Sequence, residues 1–198
     1  RVTEPAAERE SGSALVVVDV QNDFCEGGAL QVSGGVDVAH SVARYLREHG
    51  ETYDLRVASR DWHVDPRDHF SAEPDFVDSW PPHCVAETLG ADFHPVVEEA
   101  LSESPYLTVS KGMYSAAYSA FEAEDPDGQL LPEVLQVHGI EHVDIVGLCT
   151  DYCVAQTALD AARAGLHTRV LVDFTAGVHP GSTQQAIGRM KRAGIEVV

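Results

Sequence analysis

Short runs of consecutive apolar residues recur along the chain, separated by stretches in which apolar residues return every three or four positions. Ala14-Leu-Val-Val-Val-Asp19 is the clearest run and ends on an acid; Val143-Asp-Ile-Val-Gly-Leu148 and Thr168-Arg-Val-Leu-Val172 resemble it. Leu55 to Ala58 and Tyr106 to Val109 are weaker runs, and Ile195-Glu-Val-Val198 closes the chain. Runs without strict alternation predict strands buried on both faces, as in a parallel sheet. Between them lie helical patterns. Val36 to His49 places Val38, Val42, Tyr45 and Leu46 on one stripe and stops before Gly50. Leu130 to Val137, Asp151 to Ala164 and Ser182 to Ala193 stop before Gly139, Gly165 and Gly194, so each glycine is expected to take the positive φ of a helix end. Strand alternating with helix predicts an α/β fold with helices on both faces of a parallel sheet. Arg60 to Ser104 shows little periodicity and is rich in Pro, His, Asp and aromatics, which marks a long functional loop.

The 198 residues fit one domain, taken as residues 14–198 behind a solvated tail of residues 1–13. The tail carries no apolar stretch of the kind a secretory signal needs, and no run approaches the roughly 20 residues that span a bilayer. The net charge of −19 would repel phosphate backbones, so neither nucleic acid nor membrane is an expected partner. Only two lysines occur, Lys111 and Lys191, which draws attention to Lys111 between Ser110 and Gly112. Cys25, Cys84, Cys149 and Cys153 form no CxxC pair, and thiols in a cytoplasmic protein are the expected state.

Ligands of parallel α/β sheets bind beyond the carboxyl ends of the strands. Reactive residues gather there: Asp19 after the first run, Asp61 and His63 after the second, Lys111 after the third, Cys149 and Cys153 after the fourth. Cys153, in Gly147-Leu-Cys-Thr-Asp-Tyr-Cys-Val154, falls where a strand yields to a helix. Backbone N–H groups and the helix dipole there favour a thiolate and can hold an oxyanion. Read alone, it is equally a nucleophile or a buried core thiol, with Cys149 the second candidate. Asp19 has the chemistry to take the thiol proton and return it to a leaving amine, while Asp23 is expected to do loop work. Lys111 would balance the charge of an Asp–Cys pair, against the alternative of a snorkelling surface lysine.

Asp61-Trp-His63 puts two ligand side chains on one side of an extended chain, and His69 and His83 follow nearby. One carboxylate with two or three imidazoles suits zinc, iron or manganese with open positions; solvated loop histidines are the alternative, which His40, His49 and His167 fit. His138-Gly-Ile-Glu-His142 spells an inverted zinc-protease motif, but Gly139 interrupts the helix that motif requires. No P-loop, G-x-G-x-x-G turn or P-C-x-x-C deaminase pattern is present.

Asp19-x-Gln-x-Asp-Phe24, Asp61-x-His63, Trp80-Pro-Pro-His-Cys84, Lys111-Gly112 and Gly147-Leu-Cys-Thr-Asp-Tyr-Cys153 together resemble the nicotinamidase/pyrazinamidase branch of the isochorismatase-like cysteine hydrolases, from about Ala14 to the C-terminus. The resemblance implies a six-stranded parallel sheet in three α/β/α layers and metal-dependent hydrolysis of nicotinamide to nicotinate and ammonia through a thioester. It implies Asp19, Lys111 and Cys153 as the catalytic set and the Cys149 and Cys153 N–H groups as the oxyanion hole. By the same likeness, Asp61, His63 and His83 bind the metal, joined by His69 in some members. Phe24, Trp80, Tyr118 and Leu148 would line the substrate site, and a cis peptide would join Leu148 to Cys149. Cys149 departs from the pattern, standing where many relatives have alanine, and Tyr152 falls at a variable position. Three alternatives stay open: a hydrolase of another small amide, a non-catalytic metal- or small-molecule-binding homologue, and a redox sensor using Cys149 and Cys153. Assembly into a homo-oligomer is left open as well.

Overall fold

The computed structural model describes residues 11–198, so the expected tail lies mostly outside the described residues. Six strands form one parallel sheet: β1 (Gly12–Val18), β2 (Leu55–Asp61), β3 (Leu107–Lys111), β4 (Ile140–Leu148), β5 (His167–Ala176) and β6 (Glu196–Val197). Their order is β3-β2-β1-β4-β5-β6. Every pairing is parallel. Among the described residues the α-helices are α1 (Gly35–His49), α2 (Pro95–Ser102), α3 (Leu131–Val137), α4 (Ala155–Arg163) and α5 (Pro180–Arg192).

Strand periodicity sorts the core into two layers. Ala14, Val16 and Val18 of β1 face α3, α4 and α5, packing with Leu131, Leu135, Ala158 and Met190. Leu15 and Val17 face α1 and α2, packing with Val42, Leu46, Val97 and Leu101. Because both faces are covered, β1 reads as an unbroken apolar run rather than an alternating one. Truncating a fully buried Leu15 to Ala would cost about 2–5 kcal/mol. Chain order reverses direction between β1 and β4, and the crevice beyond their carboxyl ends is where this architecture takes ligands. No helix among the described residues is long and apolar enough to cross a membrane.

Three features differ from the sequence reading. Helix α2 lies inside the stretch read as irregular. Pro95 occupies its first turn, the His94 side chain accepts the Val96 N–H, and Val97, Ala100 and Leu101 supply its buried stripe. Gly50 stays in the right-handed region and leads into a 3-10 turn, whereas Gly139, Gly165 and Gly194 take positive φ as expected. The helix expected from Asp151 begins as a π turn, Thr150–Val154, before α4 takes over at Ala155.

Candidate active site

The ends of β1, β2, β3 and β4 bring their polar residues into one buried cluster. Lys111, the last residue of β3, has its ammonium fully inside the protein. Its Nζ donates to Asp19 Oδ2 at 2.7 Å and Ala117 O at 3.2 Å, lies 3.8 Å from Cys153 Sγ, and also pairs with Asp61 Oδ1. One cation therefore serves two carboxylates and a thiol. Asp19 ends β1 with a left-handed φ of 48°, an uncommon conformation for a residue with a side chain. Ser59 Oγ donates to its Oδ1 at 2.7 Å, and its own N–H reaches Ser59 O at 3.1 Å. Close strand approach makes this possible: Gly147 of β4 has φ 118°, and a Cβ there would overlap the Val18 backbone.

The electrostatics push the two carboxylates apart. Burial raises the pKa of Asp19, with Asp61 adding to the rise and Lys111 opposing it. Burial would raise Asp61 too, yet Lys111, His63 and His83 overcome it and hold that carboxyl well below its ordinary range. Asp61 is thus held ionised, while Asp19 is the more basic of the two carboxylates and the one suited to take up and return a proton. Lys111 stays charged, because Asp19 and Asp61 outweigh its desolvation. Cys153 sits in the π turn, and burial pushes the pKa of its thiol well above the usual value, with Lys111 opposing the rise, so the resting group is a thiol whose proton a base must take. Proton removal must accompany its attack.

Beside this cluster, ring nitrogens of His63, His69 and His83 lie within 4.8 Å of one another. Asp61 Oδ2 stands 3.4 Å from His63 Nε2 and 3.8 Å from His83 Nε2. A carbonyl can only accept, so His63 Nδ1 donates to Gly112 O (2.6 Å) and His83 Nδ1 donates to Pro81 O (2.8 Å). Both Nε2 atoms are thereby turned toward Asp61, the orientation that carbonyl partners impose on metal-binding imidazoles. Gly112 has φ 74° and must be glycine, since a Cβ would lie 2.7 Å from His63 Cε1. His63 Nε2 and His69 Nδ1 are buried without a hydrogen-bond partner. Burial, with His63 and His83 nearby, lowers the His69 pKa to about 4, so its ring is neutral at pH 7. Buried imidazoles with unpartnered nitrogens beside an ionised carboxylate fit a divalent metal.

A cavity of about 50 Å³ opens onto both clusters. Phe24, Trp80 and Tyr118 line it, as do His69, His83, Asp61, Cys149 and Cys153. Trp80 Nε1 donates to the Tyr118 hydroxyl at 3.1 Å, and Phe24 packs 5.5 Å from the His83 ring. Leu148 does not belong to this wall; its side chain is fully buried in the α1/α2 core. The peptide joining it to Cys149 is cis. Tyr152 was not expected here, yet its ring packs 5.2 Å from Trp80 and 6.0 Å from Tyr118 and closes one side of the cavity. Its place one residue before Cys153 was the available signal. Cys149 is half-buried, and all four cysteines are free thiols. His40, His49 and His167 are exposed and take no part.

Residues 13–198 match the isochorismatase domain family. The chain is 50% identical to the nicotinamidase/pyrazinamidase of Mycobacterium tuberculosis over 185 residues, covering 93% of this chain and 97% of that protein. The zinc complex of Pyrococcus horikoshii pyrazinamidase superposes with a TM-score of 0.80 at 37% identity, covering 94% of this chain and 98% of that one. Yeast nicotinamidase bound to the inhibitor nicotinaldehyde superposes with a TM-score of 0.82 at 27% identity, covering 94% and 99%. With the match running through every strand of the sheet and every residue of the cluster, the chain belongs to the isochorismatase family.

Proposed function

We propose that this protein is a nicotinamidase, hydrolysing nicotinamide to nicotinate and ammonia and deamidating pyrazinamide as well. The observation that carries the reading is the meeting of a buried thiol, a carboxylate of raised pKa and one shared ammonium beside a three-histidine cluster, with Cys153, His69 and His83 lining a small aromatic-walled cavity. Asp19 accepts the Cys153 proton as Sγ bonds to the carboxamide carbon. Lys111 keeps the Asp19–Cys153 pair from carrying an uncompensated charge in the interior. The N–H groups of Cys149 and Cys153 stabilise the oxyanion. As the C–N bond breaks, Asp19 returns the proton and ammonia leaves, with the nicotinoyl group held on Cys153 as a thioester. Water, giving a proton to Asp19, then cleaves the thioester and restores the thiol.

Phe24, Trp80 and Tyr118 hold the ring, and their close spacing suits a single aromatic ring. His63, His69, His83 and Asp61 would hold a divalent ion of zinc, iron or manganese, which when bound supplies a Lewis-acid anchor that orients the ring nitrogen and with it the amide. This histidine set favours nicotinamide over an N-carbamoyl amide, which has no ring nitrogen to anchor. The free thiols suit a reducing compartment, and we assign the protein to the cytoplasm. Ammonia release from nicotinamide, measured with and without a chelator, tests the assignment. Equal ammonia and nicotinate should appear, cease with chelator and return with added metal; no ammonia would refute the substrate, and indifference to chelator the metal.

A further inference from the structure

Asp61 and His83 reach the same cluster from different structures. Asp61 ends a strand, whereas His83 lies in the long segment between β2 and α2. Their spacing is therefore not set by sheet geometry alone. The loop leaving β1 touches both. Gln21 is fully buried and uses both ends of its amide. Its Oε1 accepts the Asp61 N–H at 2.9 Å, and its Nε2 donates to Asp61 O and Ala91 O, each at 2.8 Å. A single side chain thus grips the N–H and the C=O of one residue, as a paired strand would, and adds no charge beside Asp19 and Asp61. Two residues on, Asp23 Oδ2 accepts the N–H of Cys84, the neighbour of His83, at 2.8 Å, and Oδ1 accepts the Ala29 N–H at 3.1 Å. Its own N–H donates to Gly90 O at 3.0 Å, and a Cβ on Gly90 would overlap its carboxylate. Cys84 is held with φ 46°, a conformation that needs support from outside the residue. His63 N also donates to Cys84 O at 3.0 Å, so Asp23 braces a segment already in register with β2.

We propose that Gln21 and Asp23 are positioning residues for the metal site: the loop after β1 sets the distance between Asp61 and His83, and with it the affinity for a divalent cation. The inference rests on the metal reading above. Neither side chain reaches the cavity wall, so they act through the peptides they hold. The test is zinc affinity of the metal-free full chain, measured by competition with a chromophoric chelator below each variant's melting temperature. Gln21→Met and Asp23→Ala should each weaken zinc binding about 10–100-fold, the range for losing groups that orient ligands. Asp23→Asn keeps one acceptor oxygen and should fall between Asp23→Ala and the unaltered protein. Tyr53→Phe, which removes a part-buried hydrogen bond at the other end of the sheet, should leave affinity within about twofold, separating positioning from general loosening. If Gln21→Met does not fold, Gln21→Glu keeps the acceptor for Asp61 N–H, loses both donors and is read by the same criterion. Unchanged affinity in the Gln21 and Asp23 variants, or an equal loss in Tyr53→Phe, overturns the inference alone. Failure of the unaltered protein to bind zinc overturns the metal reading and the inference together.

Discussion

Two regions of the sheet bury carboxylates, and they satisfy them differently. Toward the amino ends of the strands, Asp144 accepts from Arg169 Nε (2.8 Å) and Nη2 (2.6 Å) and from the Tyr53 hydroxyl (2.5 Å), which in turn lies 2.7 Å from Tyr45 Oη. One carboxylate meets one guanidinium. Toward the carboxyl ends, one ammonium is shared by two carboxylates and a thiol, and two buried ring nitrogens have no partner. Volume points the other way. The Asp144 region borders a cavity of about 750 Å³, against about 50 Å³ at the thiol. Chemistry follows unmet electrostatic demand rather than empty space: a satisfied ion pair has little left to offer a ligand, whereas unpartnered imidazole nitrogens and a carboxylate of raised pKa do.

The sharpest way to break this contrast is Cys153→Ala. Ammonia release should fall by at least about 10⁴-fold while zinc content stays unchanged; measurable turnover would remove Cys153 from the nucleophile's role. Lys111→Met leaves two buried carboxylates without their cation. Denaturant unfolding should report a loss of about 3–5 kcal/mol together with lost activity, and a stable protein would mean the carboxylates do not depend on the ammonium. His63→Ala should lower zinc affinity by at least about 100-fold and raise KM, because a ligand and not merely its support is gone. Unaltered metal content would place His63 outside the ligand set. The smallest effect belongs to the other end of the sheet. Tyr53→Phe should cost about 1–2 kcal/mol in unfolding free energy with kcat/KM unchanged; a parallel fall in kcat/KM would erase the distinction between the two regions.

Strands and most helices were legible because burial on two faces leaves unbroken apolar runs and burial on one leaves a stripe. Helix α2 escaped because eight residues beginning with proline carry too few turns to show a period, although Pro95 with apolar residues at 96, 97, 100 and 101 was a usable start signal. Gly50 shows that a glycine after a helix does not by itself reverse the chain when a 3-10 turn can continue it. Leu148, which the resemblance implies for the substrate site, packs with Val146 in the α1/α2 core. Gln21 reads as an ordinary polar loop residue, since nothing local says that its amide will meet the backbone of a residue forty positions away.

The sequence alone determined the layered α/β architecture and the strand ends at which a candidate thiol, acid, ammonium and imidazoles stand. Periodicity and residue chemistry are local properties and survive in one dimension. Only the tertiary structure decided that one ammonium holds Asp19, Asp61 and Cys153 together, that burial keeps the thiol protonated, and that Tyr152 closes the cavity. Those outcomes depend on distances and desolvation among residues remote in the chain, and the packing of the sheet creates both.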